Sequence, residues 1–278
     1  MFQRLSNSWE LVKASAQVLK ADKELMVFPL LSFLGLVVTC VLFFVPASAF
    51  AFGGEASQAM EIVAYVALFV FYVASTFVVV FFNSALVGAA LIRLDGGDPT
   101  VADGLRIARQ HLGSIFAWSV LAATVGMILR AARERSGGLG RIVIGMVGLA
   151  WNLATFLVVP VLVNRGLGPI DALKESATLL KRTWGEQIAG NLGIGAVFWV
   201  IGIVYTIIAV PIVILAVGTG SMAVIGVAVA LIGLGYALIT LVSATLSGIY
   251  SAALYRFATE GEVAYLDRRL LENAFVAK

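Results

Sequence analysis

Charge is what this sequence has least of. Asp, Glu, Lys and Arg make up 13% of its 278 residues, against about 25% in soluble domains. No charged residue lies between Glu24 and Glu55, between Glu61 and Arg93, or between Glu186 and Arg256. The last gap is too long for a soluble core helix and long enough for two membrane spans, each needing about 20 apolar residues. Cysteine is reduced to Cys40. That excludes an internal disulfide and a thiolate metal cluster. His111 is the single histidine. With no second histidine to share a metal, it reads as an interfacial side chain, neither catalytic nor zinc-binding. No glycine-rich phosphate loop follows a strand, because no strand pattern is present to carry one. No cofactor and no catalytic residue is therefore assigned, and the chain is not expected to be an enzyme.

What the sequence has instead is apolar residues, 61% of the total, and a mean hydropathy of +1.01. Those values place it among integral membrane proteins. The net charge of +3 and pI near 9.1 do not argue for nucleic acid, since excess Lys and Arg marks cytoplasmic loops. Ala47-Ser48-Ala49 after Pro46 has the look of a signal cleavage site. The apolar run before it is longer than a signal h-region and follows a polar-rich stretch, so it is read as a retained span. Six candidate spans result: Leu25–Pro46, Ile62–Ile92, Leu112–Leu129, Ile142–Asn164, Ile188–Val217 and Met222–Tyr255. Gly218-Thr219-Gly220-Ser221 separates the last two with a tight turn.

With the N-terminus inside, all of the 19 Lys and Arg fall on the inner side except Arg130, Arg133, Arg135 and Arg141. That asymmetry predicts that both termini are cytoplasmic. The four outer arginines oppose it and would snorkel to headgroups. Ile62–Ile92 would be roughly 46 Å long as a helix, against about 30 Å of hydrocarbon, so it must tilt or project. Pro160 and Pro211 lie inside spans and are expected to kink them.

The inner segments are amphipathic. Glu10, Lys13, Gln17 and Lys20 recur at helical spacing, as do Asp171, Lys174, Thr178 and Lys181. Arg106 and Arg109 form the polar side of a similar unit over Asp103 to Leu112. Asp98-Pro99 and Gly168-Pro169 supply helix starts. Lys13, Lys20, Arg106, Arg109, Lys174 and Lys181 are thus the candidate contacts to anionic membrane lipid.

Two stretches repeat. Val12–Lys20 aligns without gaps on Leu173–Lys181, and Ser84–Arg93 on Ser247–Arg256, each with five identities. The expected fold is all-α: six transmembrane helices as three parallel hairpin repeats with interposed cytoplasmic amphipathic helices. The units cover about 1–92, 93–164 and 165–255 of a single membrane domain, and a cytoplasmic helix covers 256–278. Ser84 and Gly88, Ala122 and Gly126, and the ladder Ser243, Ser247, Ser251 flanked by Gly248 have small residues four apart, a pattern that lets helices touch closely. The deepest polar side chains are Asn83, Asn152, Thr155, Tyr205, Thr206, Tyr236, Thr240 and Ser243. None of them is charged, which disfavours proton-coupled transport.

Asn7-Ser8-Trp9, Lys20-Ala21-Asp22-Lys23-Glu24-Leu25, Phe28-Pro29-Leu30, Glu134-Arg135-Ser136-Gly137, Trp151-Asn152-Leu153-Ala154-Thr155-Phe156 and Lys181-Arg182-Thr183-Trp184-Gly185-Glu186 together resemble an uncharacterised bacterial and archaeal family of multi-pass membrane proteins. The chain is more loosely similar to the membrane domain found with glycerophosphodiester phosphodiesterases. The resemblance implies a six-span fold in the plasma (inner) membrane and carries no activity with it. The leading expectation is a non-enzymatic component contacting membrane lipids or partner proteins. The alternative is an oligomeric channel or permease for ions or small solutes. A homo-oligomer or a partner membrane protein is expected, and no nucleic acid.

Overall fold

The structure, a computed structural model, describes residues 15–51, 58–182 and 184–260. Every regular element among them is helical. They are α1 (Val27–Ala51), α2 (Gln58–Leu94), α3 (Val101–Gln110), α4 (Leu112–Arg135), α5 (Gly138–Thr155), α6 (Val158–Arg165), α7 (Pro169–Arg182), α8 (Trp184–Gly218) and α9 (Met222–Glu260). Residues 15–21 are also helical, and a 3₁₀ turn over Lys23–Met26 leads into α1. The first half of the expected N-terminal amphipathic helix, with Lys13, lies outside the described residues, as does the expected tail helix beyond Glu260.

Six stretches are long and apolar enough to cross a membrane: Lys23–Phe44, Ile62–Leu94, Leu112–Arg135, Gly138–Arg165, Val197–Gly218 and Met222–Thr259. The third runs on to Arg135, past the expected stop at Leu129, and carries Arg130, Arg133 and Arg135 in its final turns. Arg130 bonds Glu134 at 2.9 Å and reaches the Tyr72 hydroxyl of α2. Helix dipole and local partners therefore make the arginine cluster compatible with a helix end. Ser136 and Gly137 are extended and end the helix.

Burial is concentrated at one end of the bundle. Its core joins Ala85–Ala90 of α2, Ile115 and Trp118 of α4, Leu157–Val163 around α6 and Ile249–Ala258 of α9. Val18, Ala108, Ala172 and Leu179, from residues 15–21, α3 and α7, close that end. We call it the packed end. α2 is the hub, touching α1, α3, α4, α6 and α9. Away from it the helices present apolar side chains outward: Leu139 is 83% and Met222 85% exposed. Such surface is tolerable only in lipid.

Three links set the packed end. Gly96 turns with φ 84° after α2, and Arg93 there pairs with Asp22 at 3.1 Å and Asp98 at 3.4 Å and donates to the Gly97 carbonyl. α3 begins with a capping box: the Thr100 hydroxyl accepts from the Asp103 N–H at 3.2 Å, and the Thr100 N–H donates to the Asp103 carboxylate at 3.1 Å. The cap is thus Thr100 rather than Asp98-Pro99, because a threonine oxygen can accept an orphan N–H and a proline ring cannot. Gly166, at φ 61°, ends α6 as a left-handed cap, and Pro169 then starts α7 as expected. At the other end of the bundle, Gly220 (φ 66°) turns α8 into α9, with the Ser221 N–H donating to Thr219 Oγ1.

A broken helix beside a lateral cavity

The fourth span does not run through. α5 stops at Thr155 and α6 starts at Val158. The cause lies downstream. Pro160 has no N–H, so the Phe156 carbonyl loses its helical donor, and the proline ring crowds that carbonyl out of line. The kink expected at Pro160 is therefore a two-residue break about a turn earlier, at Phe156 and Leu157. Pro211 differs: α8 continues through it.

A break inside an apolar span leaves backbone groups that lipid could not satisfy. Two serines from distant helices satisfy them. The Ser176 hydroxyl of α7 accepts from the Leu157 N–H at 3.2 Å and donates to the Ala154 carbonyl at 2.5 Å. The Ser251 hydroxyl of α9 donates to the Phe156 carbonyl at 3.3 Å. Ser176 is fully buried and Ser251 nearly so. The Trp118 and Trp151 rings stack across α4 and α5 with centroids 6.0 Å apart, just before the break.

Phe156 and Ser251 also form part of the wall of a cavity of about 450 Å³ between α1, α2 and α9. Ser32, Asn83 and Ser247 complete its polar side, and Phe33, Leu36, Val79 and Phe82 its apolar side. Asn83, Ser32 and Ser247 make no side-chain hydrogen bond among the described residues. Phe33 and Val79 are exposed, so the cavity opens sideways, where the bilayer would be. Thr240 and Ala244 are shared with a second cavity of about 540 Å³ between α8 and α9, lined also by Phe198, Trp199, Ile203, Thr206, Tyr236 and Ser243. Tyr236, Thr240, Ser243, Ser247 and Ser251 follow one another three or four residues apart, which puts them on one face of α9. Between Tyr236 and Ser251 the helix rises roughly 22 Å.

The stripe ends at a knot of hydroxyls. Thr206 donates to the Gly202 carbonyl at 2.7 Å, which leaves its oxygen to accept from the Tyr236 hydroxyl at 2.5 Å. The Tyr205 hydroxyl donates to the Ile232 carbonyl at 3.0 Å, and its ring meets Tyr236 edge-on at 4.8 Å. Gly235 gives Tyr205 its place, since a Cβ there would overlap the phenol oxygen. Beyond that knot α8 and α9 carry no polar side chain as far as the Thr219 turn.

The residues singled out by spacing lie as follows. Lys20, Arg106, Arg109, Lys174 and Lys181 are exposed at the packed end. Arg106 pairs with Asp103 at 2.7 Å and Lys174 with Asp171 at 3.4 Å. His111 caps α3 with Nδ1 2.9 Å from the Ile107 carbonyl. Ser84 is fully buried and its hydroxyl has no partner among the described residues. Gly88 faces Ile107 of α3, and Gly248 faces Leu86 and Asn83 of α2. Ser243 and Ser247 line cavity walls, and Ser251 holds the break. Sequence reasoning missed Pro160, Ser176 and Ser251 as one assembly. The signal available was Pro160 itself, which orphans the carbonyl four residues before it.

In architecture this is a multi-pass membrane protein built of helices, with six candidate spans. Residues 62–265 match a family of unknown function, DUF6159, and the chain belongs to that family. No curated protein and no solved structure matches it.

Proposed function

We propose that this protein is a non-enzymatic, lipid-contacting component of the plasma membrane, with both termini cytoplasmic. The lateral cavity carries the reading: a polar and apolar pocket open to the bilayer, with unpartnered side chains inside it, is built to hold an amphiphile. The basic side chains exposed at the packed end support it, since they would meet anionic headgroups of the inner leaflet.

The same reading takes the fold as three parallel hairpin repeats with interposed amphipathic helices. Ser15 and Ser176, aligned in the repeat, are both fully buried, as are Val18 and Leu179 nearly so. Arg93 and Arg256, also aligned, both pair with acids, Asp22 and Asp95 respectively. The likeness to the membrane domain accompanying glycerophosphodiester phosphodiesterases belongs here too, as a likeness of layout.

Purification in native membrane discs followed by mass spectrometry tests the proposal. Recovery with a bound lipid or partner protein is expected, and recovery with neither would overturn it. A channel or permease is the second reading, favoured by the hydroxyl stripe on α9. The wholly apolar stretch beyond Tyr236 and Thr206 weighs against a through-path along that face. Ion and solute flux into reconstituted liposomes decides between them.

A further inference from the structure

We propose that the cavity between α1, α2 and α9 binds a neutral glycerolipid, with a hydroxyl- and ester-bearing head and no phosphate, taken from the leaflet at the packed end. The inference rests on the lipid-contacting reading above and names the class of lipid.

Three observations carry it. The first is the absence of charge: neither cavity has an Asp, Glu, Lys, Arg or His in its wall. A phosphate or ammonium drawn inside would lose its water and find no counter-ion. A hydroxyl or an ester carbonyl loses far less. The second is the unmet capacity of the wall. Asn83 offers two N–H donors and a carbonyl, and Ser32 and Ser247 each offer a donor and an acceptor. None of the three has a side-chain partner among the described residues, and within hydrocarbon a ligand that both donates and accepts would relieve them. The third is polarity along the bundle axis. Of the polar groups in its wall, Ser32, Asn83, Ser247 and Ser251 lie toward the packed end and Thr240 alone lies farther from it, among Leu36, Val79 and Ala244. A lipid of that leaflet has its head at the same end and its chains toward the membrane centre. Past Thr240 the groove continues between Phe198, Trp199, Ile203 and Ile239, with the Thr206, Tyr236 and Ser243 hydroxyls along one side, so an acyl chain has an apolar wall to lie against beyond the head. Because the stripe stops at Tyr236 and Thr206, the head has no polar path to the opposite leaflet, and the site holds lipid without passing it across.

The test uses the full chain in phosphatidylcholine nanodiscs doped with a diacylglycerol bearing a photoactivatable acyl chain. Cross-links are expected on peptides of α1, α2 and α9, displaced by unlabelled diacylglycerol but not by phosphatidylglycerol. Asn83→Leu should reduce labelling about tenfold, the size of one lost buried hydrogen bond, and Asn83→Gln should retain most of it. Val79→Trp, from the exposed rim, should block labelling and keeps every buried contact. Equal displacement by phosphatidylglycerol would overturn the neutral class and leave the lipid reading standing. Labelling unaffected by Val79→Trp would overturn the site. A preparation that retains no lipid of either kind would sink both readings together.

Discussion

The Ser176 hydroxyl accepts the Leu157 N–H at 3.2 Å, so a side chain on α7 completes a helix that Pro160 interrupts. Ser176→Ala takes that partner from the fully buried Leu157 N–H and from the part-buried Ala154 carbonyl. A loss of about 1–3 kcal/mol is expected, read as an earlier unfolding transition in detergent. Thr178→Ala, two residues on and exposed, removes only a bond to its own helix at Lys174 and should change stability by a few tenths of a kcal/mol. Equal effects from the two variants would refute the role given to Ser176.

Three glycines, two of them in close contact and one in open space, rank three alanine variants. At Gly104 a Cβ would stand 2.6 Å from the Ala85 carbonyl oxygen and 2.5 Å from the Phe28 ring. Backbone cannot step aside, so Gly104→Ala should cost about 1–3 kcal/mol or more. At Gly248 the obstacle is the flexible end of Leu86, and the cost should be smaller. At Gly126 nothing lies within 4 Å, so Gly126→Ala should be neutral or slightly stabilising, since alanine is the better helix former. Thermal unfolding of the three variants in one detergent gives the order directly.

The spans were legible because charge is segregated: Glu24 and Glu55, Glu61 and Arg93, and Glu186 and Arg256 bracket long apolar runs, and the Gly218–Ser221 turn divides the last of them in two. The break at Phe156 was only half legible. Pro160 announces an orphan carbonyl, but the groups that answer it, Ser176 and Ser251, come from helices far along the chain. Periodicity placed Ser243, Ser247 and Ser251 on one face of a helix and could not say what stands opposite. Opposite Ser251 is a carbonyl, and beside Ser247 an open cavity. Gly104 carried no signal at all, because its need arises from Phe28 and Ala85 on other elements. Patterns within a helix are local; a site between helices is not.

Arg93 and Asp22 tie the end of α2 to the approach to α1, with side chains only 14% and 13% exposed. A pair this sheltered is costly to break from one side, because the remaining charge stays in low dielectric. Arg93→Met or Asp22→Leu alone should destabilise by about 2–4 kcal/mol, near the range for broken buried pairs. The double variant should recover part of that. A double-mutant cycle on detergent-unfolding midpoints measures the coupling; Asp98, which also meets Arg93, makes it smaller than the single losses suggest. Additive losses would show that the pair does not couple.

Asp103 gives α3 a pH signature. Its carboxyl is held below the ordinary aspartate value by hydrogen bonds from the Thr100 hydroxyl and N–H, with Arg106 nearby adding to the effect. The folded value being the lower one, the cap's contribution is present above the unfolded pKa and fades as pH falls through the folded one. The first turn of α3 should therefore fray only in acid below the usual carboxylate range. Carbon-13 titration of the Asp103 carboxyl in nanodiscs reads this, and Thr100→Val should move the midpoint upward. A wild-type midpoint at or above the ordinary aspartate value would refute the capping box.

Pro160→Ala separates cause from support at the break. Alanine restores an N–H at position 160 and removes the ring that crowds the Phe156 carbonyl, so a continuous helix becomes sterically open. Yet Leu157 would still be bonded to Ser176 and Phe156 to Ser251, and closing the helix must give up the first bond, because the Leu157 N–H has one hydrogen, and make the Phe156 carbonyl serve two donors. The geometry of α7 and α9 therefore favours keeping the break in the single variant. Adding Ser176→Ala and Ser251→Ala removes that hold, and the helix should then close. Hydrogen exchange at residue 160 distinguishes the states: fast in the single variant, where its N–H has no settled acceptor, and slowed at least tenfold in the triple variant, where Phe156 accepts it. Slow exchange already in Pro160→Ala would mean that the proline alone makes the break and that the two serines merely fill it.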